Sequence, residues 1–239
     1  MRTIVVCATQ RSGSTMVCED MERLGLGRPE EHFLPWTLEE DRDWRRALDN
    51  LRETASRNGI LAVKVMANQM RTIDCRLSAF TAPLSQGPFP FFRSAFRDAD
   101  WLWVRRRDTV AQAISHFLAR RSGVYHVVRR NTGFVPGASR LEGHATAVPE
   151  VEYDFEQLLT EWHSIQGQTL FWSELFREAS INAKVITYED YDQGDLMAWA
   201  RDRGLRVGSP DKDRNLSKMP SQRNEAMRRR FLADLFSLT

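Results

Sequence analysis

Arg11-Ser12-Gly13-Ser14-Thr15 is the first stretch whose residue types and spacing suggest chemistry. It gathers a guanidinium, three hydroxyls and a glycine that lets backbone approach a ligand closely. Thr3, Ile4, Val5, Val6, Cys7 and Ala8 precede it as a β-branched, apolar run, the mark of a strand buried on both faces. Val17, Met21 and Leu24 follow at helical spacing, with Gly25 and Gly27 to stop the helix. A strand feeding a hydroxyl-rich turn at a helix start is an anion cradle, because unpaired backbone N–H groups and the positive dipole end converge there. The same pattern also suits a plain helix cap, so the remainder of the chain must decide.

A second transition repeats the design. Residues 101–104 read as a strand, and Arg105-Arg106-Arg107-Asp108 opens a helix over 109–122. Val110, Ala113, Ile114, Phe117 and Leu118 form its apolar face. Ser115 lies eight residues beyond Arg107, so one ligand near the helix start can meet both the arginine and the hydroxyl. Taken alone, the run also fits a solvated charge cluster.

The elements that must position these groups follow from pattern and breakers. Thr37 can cap a helix over about 38–57, ended by Asn58-Gly59, before an apolar strand at 60–66 that carries Lys64. Helices are expected over 70–80 and 94–98, separated by a breaker-rich loop at 82–92. Residues 123–152 are irregular, with Gly133, Pro136, Gly137, Gly143 and Pro149, and a connection this long is commonly functional, partly helical or disordered. Asp154 can cap a helix reaching about 179, followed by a strand at 184–187, a helix at 196–203, a polar loop at 211–221 and a terminal helix at 222–238. Strands separated by helices imply an α/β fold, a central parallel sheet flanked by helices. Ligands bind beyond the C-terminal strand ends in such sheets, where the 9–15 loop and the segments after Val104 and Thr187 fall.

Composition sets the bounds. The 239 residues suit a single domain spanning 1–239, and 42% hydrophobic with 28% charged residues is ordinary globular usage. A net charge of +2 provides no field to draw the chain onto nucleic acid or anionic lipid. Cys7, Cys18 and Cys75 lack paired spacing, which argues for reduced thiols and a cytoplasmic protein. The first apolar run is too short for a signal peptide, and none approaches a membrane span.

The first loop resembles the 5′-phosphosulfate loop of sulfotransferases that use 3′-phosphoadenosine 5′-phosphosulfate (PAPS), and the Arg107/Ser115 pair resembles their 3′-phosphate segment. The wider pattern resembles the bacterial carbohydrate sulfotransferases typified by trehalose 2-sulfotransferase, with the related lipopolysaccharide sulfotransferases. Gln10 to Thr15, Gly27, Pro29, Glu31, Phe33, Val63-Lys64 and Gln69 carry it, together with Arg107-Asp108, Gln112-Ala113, Ser115, Tyr153-Asp154 and Tyr188-Glu189-Asp190. The resemblance implies a P-loop-like sulfotransferase fold, a homodimer, and PAPS as co-substrate on Gln10, Arg11, Ser12, Gly13, Ser14, Thr15, Arg107 and Ser115. It implies a small carbohydrate or glycolipid acceptor beside Glu31, His32, Phe33, Lys64 and Gln69, with the proposed catalytic glutamate at Glu31.

Sulfuryl transfer poses two electrostatic problems. The attacking alcohol must lose a proton, and the leaving phosphate gains charge. Arg11 is placed to stabilise that charge but, as a guanidinium, not to deliver a proton. Glu31 is the expected base, with Glu30 and His32 as rivals, the latter because it titrates nearer neutrality. Glu189 is expected to hold a loop by hydrogen bonds, and His116 to pack. No metal is required in principle, and no metal-ligand cluster is evident. Trp36, Phe33 and Tyr125 are candidates to stack on a sugar ring. Residues 123–153 depart from the family pattern, which assigns acceptor specificity there, and Lys218 to Arg223 match its further basic loop only loosely.

Two other readings compete. A nucleotide-dependent kinase lacks the Gly-x-x-x-x-Gly-Lys-[Ser/Thr] order and a magnesium-binding Asp after a strand. A nucleic-acid or partner-binding module on the arginines at 105–107, 129–130 and 228–230 has against it the small net charge and the absence of a recognised motif.

Overall fold

The computed structural model describes residues 1–38, 42–84, 87–125, 127–128, 151–209, 214, 216–217 and 222–237. Arg129, Arg130 and the basic candidate Lys218 lie outside the described residues, as does most of the 123–152 connection. The chain begins β1 (Arg2–Ala8), α1 (Ser14–Arg23), α2 (Leu34–Leu38), α3 (Trp44–Thr54), β2 (Ser56–Arg57) and β3 (Ile60–Met66). It continues α4 (Met70–Ser78), α5 (Pro90–Ala95), β4 (Ala99–Arg105), α6 (Thr109–Ser122), β5 (Val127–Val128) and α7 (Phe155–Glu178). It closes with β6 (Lys184–Thr187), α8 (Gln193–Asp202), β7 (Leu216–Ser217) and α9 (Gln222–Phe236).

Caps written into the sequence set several bounds. The Asp108 carboxylate accepts the Ala111 N–H at 2.8 Å, starting α6, and Asp154 accepts the Gln157 N–H at 3.0 Å, starting α7. Elsewhere the chain corrects its pattern. The single helix expected over 38–57 is two: Asp43, not Thr37, caps α3 by accepting the Arg46 N–H at 3.0 Å. The helix expected at 94–98 begins at Pro90, since Asp74 on α4 accepts the N–H groups of Phe91 and Phe92 at 3.0 and 2.7 Å.

The main sheet has the order β2-β3-β1-β4-β6. β3, β1, β4 and β6 are parallel, as expected, while β2 adds an antiparallel edge, and β5 pairs antiparallel with β7 in a separate ribbon. Strand alternation splits the core in two. Val5, Cys7, Val63, Val65, Trp101 and Trp103 face one layer with residues of α3, α4, α5 and α7. Ile4, Val6, Ala62, Leu102 and Val104 face the other with residues of α1 and α8. A third cluster joins α6, α7 and α9 through Ile114, Phe117, Leu158 and Phe231.

The buried Trp172 of α7 donates its indole N–H to the Ala8 carbonyl at 3.0 Å, fixing the end of β1 where the anion loop begins. β1 lies between β3 and β4, so the chain leaves it to one side and returns to the other. That reversal places the crevice over the β1 and β4 ends, where both basic turns emerge.

Candidate active site

The loop after β1 is tight. Arg11 and Gly13 adopt left-handed φ values of +60° and +88°, and Gly13 serves as the N-cap of α1 with no side-chain cap bond. The Met16 N–H bonds the Gly13 carbonyl at 3.0 Å, and no side chain caps the Ser14 and Thr15 amides before it. Gly13 is also required by space: a Cβ there would sit 2.3 Å from Cδ2 of the Tyr188 ring. Ser12 in the loop and Ser14 at the start of α1 are both buried, and the Ser12 hydroxyl finds no partner among the described residues.

Side chains of α6 stitch the two turns together. Gln112 donates to the Gln10 carbonyl at 2.6 Å, and Arg11 donates Nε–H to the Ser115 hydroxyl at 3.0 Å. Arg11 also donates from Nη1 to the Tyr125 carbonyl. Burial, and secondarily the neighbouring Arg106 charge, lowers the Arg11 pKa. A cation in this setting gains when an anion arrives.

The turn after β4 is organised by Glu189. Its two carboxylate oxygens accept the Arg107 and Asp108 N–H groups at 2.9 and 3.1 Å, and Arg106 Nε lies 3.6 Å away. This is the loop-holding role the sequence suggested. Although desolvation opposes it, those amide bonds lower the Glu189 pKa. Arg106 stacks over Tyr188 at 5.0 Å, so Arg106, Tyr188 and Gly13 form a layered wall. Arg107 instead turns its exposed guanidinium to Asp190, while Ser115 stands two turns into α6 beside Arg11. Arg107 and Ser115 thus each have a protein partner of their own, Asp190 and Arg11.

A family model described as Stf0 sulphotransferase matches the chain over residues 3–57 and 35–199. The matched residues include both basic turns, β3 and Tyr188-Glu189-Asp190. This chain belongs to the Stf0 sulphotransferase family. It is a sulfotransferase, with the bacterial carbohydrate-enzyme kinship its motifs suggested. Among curated proteins none matches it.

The other wall of this Stf0 sulfotransferase is built on the open edge of β3. Glu30 forms a parallel bridge with Val63, and its carbonyl accepts the Lys64 N–H at 2.9 Å. Glu31 then meets Lys64 Nζ at 2.9 Å, the lysine side chain 2% and the glutamate 19% exposed. Three residues expected against the acceptor sit behind this wall. Lys64 is spent on Glu31, buried Gln69 accepts the Met66 N–H at 3.1 Å, and Phe33, at 0% exposure, packs edge-on against Trp36, Phe92 and Phe96. Neither Phe33 nor the buried Trp36 has a face to lay on a sugar. His32 contacts the Arg28 carbonyl at 3.3 Å, and burial lowers its pKa.

Sequence reasoning passed over Arg106 in favour of Arg107, and gave no signal for the Tyr125 carbonyl, a backbone group. Among the described residues no group of three or more His, Cys, Asp or Glu could hold a metal, and no helix is long and apolar enough to cross a membrane.

Proposed function

We propose that this sulfotransferase moves a sulfuryl group from PAPS to a hydroxyl of a small carbohydrate or glycolipid head group, working as one domain over residues 1–239. The observation that carries the donor assignment is Arg11, a desolvated guanidinium beside a second cation at a helix start with no side-chain cap. That setting suits a phosphosulfate, whose transferred group PAPS supplies. Arg11, the α1 amides, Ser14 and Thr15 would hold the 5′ end, with Gln10, Ser12 and Gly13 shaping the turn. Arg106, Arg107 and Ser115 are the groups available to the 3′-phosphate.

Arg11 neutralises charge that grows on the leaving phosphate, an interaction strengthened by its dry surroundings. Glu31 orients the acceptor hydroxyl and takes its proton, and Lys64 holds that carboxylate in place. His32 is the alternative base, since its lowered pKa leaves the ring neutral near pH 7.

Thermal melting with adenosine 3′,5′-bisphosphate, ATP and GTP tests the donor assignment. The bisphosphate should raise the melting temperature most. Stabilisation by ATP or GTP alone would replace PAPS with a nucleoside triphosphate.

A further inference from the structure

Asp20 is a carboxylate with 0% exposure, on the helix that starts at the donor loop. Such a group persists only when its oxygens are fully paired. Arg214 supplies a two-pronged contact, Nε–H to Oδ1 at 2.8 Å and Nη2–H to Oδ2 at 2.6 Å. Arg23 adds a bond at 3.0 Å and the Tyr191 hydroxyl one at 2.8 Å. Hydrogen bonding to Asp20 raises the Arg214 pKa, overcoming its desolvation.

The position of this knot gives it a consequence for the site. Tyr191 ends the turn that starts at Tyr188, the ring packed on Gly13. Arg214 lies two residues before β7, which pairs with β5 through Val127↔Ser217 and Val128↔Leu216. β5 starts two residues after Tyr125, whose carbonyl accepts from Arg11. Contacts and short stretches of chain together thus link the donor loop, α1, Asp20, Arg214, β7, β5 and Tyr125 back to Arg11.

We propose that Arg214 is a positioning residue for the donor site: anchored on Asp20, it holds β7 and β5 where the Tyr125 carbonyl fixes the Arg11 guanidinium. The proposal rests on the donor reading above. A guanidinium whose plane is already fixed loses less freedom when it meets an anion, so the contribution falls on donor affinity.

Calorimetric titration with adenosine 3′,5′-bisphosphate, alongside amide exchange at Val127 and Val128, tests this on the full chain and its Arg214→Gln and Arg214→Lys variants. Arg214→Gln should weaken bisphosphate binding about tenfold and speed exchange at both valines. Arg214→Lys keeps the charge without the fork and should fall between. Folded variants with lowered melting temperatures but unchanged affinity and exchange would reduce Arg214 to fold stabilisation and overturn the proposal. Should Arg214→Gln fail to fold, Arg214→Lys decides by the same readouts. Should the wild-type protein itself ignore the bisphosphate, the donor reading fails; exchange at the two valines then judges the clasp alone, acceleration keeping it and constancy overturning it.

Discussion

The two walls of the crevice differ in how each treats its buried cation, Arg11 on one and Lys64 on the other. On the β1–β4 side, the partners of Arg11 include a hydroxyl and a carbonyl, burial and Arg106 work against its charge, and Arg106 and Arg107 face Glu189 and Asp190. On the β3 side charges cancel at short range, Glu31 against Lys64 at 2.9 Å and Glu30 against Arg28 at 2.8 Å. The first wall gains by receiving an anion. The second is electrically closed, and a neutral hydroxyl disturbs it least. A donor bearing phosphates and an acceptor bearing hydroxyls match that division.

Arg11→Met breaks the comparison most severely. Turnover should fall about 10²–10³-fold, the range for removing a donor that stabilises transition-state charge. Melting temperature should move little, because the lost hydrogen bonds, about 1 kcal/mol each, are offset by relief from burying a cation. Near-normal sulfation by Arg11→Met, measured with labelled PAPS, would show the cationic wall to be incidental.

Glu31→Gln tests the closed wall. Turnover should drop about 10²-fold or more while bisphosphate affinity holds. The substitution also leaves Lys64, 2% exposed, without its counter-charge, at a cost of about 3 kcal/mol. Adding Lys64→Met should restore most of the lost stability and none of the turnover. Recovered turnover in the double variant would mean that Glu31 serves the lysine and not the acceptor.

How legible this division was depended on the range of the interactions. β1 and α6 follow from apolar runs and an adjacent cap, Asp108, so pattern alone located them. α5 did not, because its cap is Asp74, a residue on another helix. The two-residue strands β2, β5 and β7 are too short to carry a period. In the site, Arg11 stood out by type and spacing, whereas Glu31 was singled out from Glu30 and His32 by the family resemblance. Phe33 was expected as a ligand contact from its place in the family pattern and its ring, and only the fold shows that the aromatic layer of Phe92 and Phe96 claims it. Arg106 and Arg107 are indistinguishable as letters; Tyr188 and Asp190, beyond a later strand, sort one inward and the other outward.

Glu189→Gln sharpens the cationic wall by about one order of magnitude. A carboxylate accepts from the Arg107 and Asp108 amides with separate oxygens, whereas an amide must turn an N–H toward one of them. That mismatch costs about 1–3 kcal/mol locally. Bisphosphate affinity should fall roughly tenfold, with the turn after β4 loosened. Because the folded pKa is depressed, the stability Glu189 contributes is present above the ordinary carboxylate range and lost as pH falls through its folded value. Glu189→Gln should accordingly flatten the acid limb of the melting curve.

The smallest effect separates the two candidate bases on the closed wall. Burial lowers the pKa values of His32 and, behind Ser115, of His116, whose Nδ1 faces Glu161 at 2.7 Å. In the unfolded chain both take a proton near pH 6.5, so stability should hold above that value and decline as pH falls toward the folded values. The slope from one histidine is at most about 1.4 kcal/mol per pH unit, and His32→Gln should remove its share. Turnover carries the discriminating signal. With Glu31 as base, His32→Gln leaves the acid limb of kcat where it was; with His32 as base, that limb lies below 6.5 in the wild-type protein and turnover is lost in the variant. Loss of turnover in His32→Gln at unchanged bisphosphate affinity would move the proton acceptor one residue along the same edge, and Glu31 would be left as the counter-charge of Lys64.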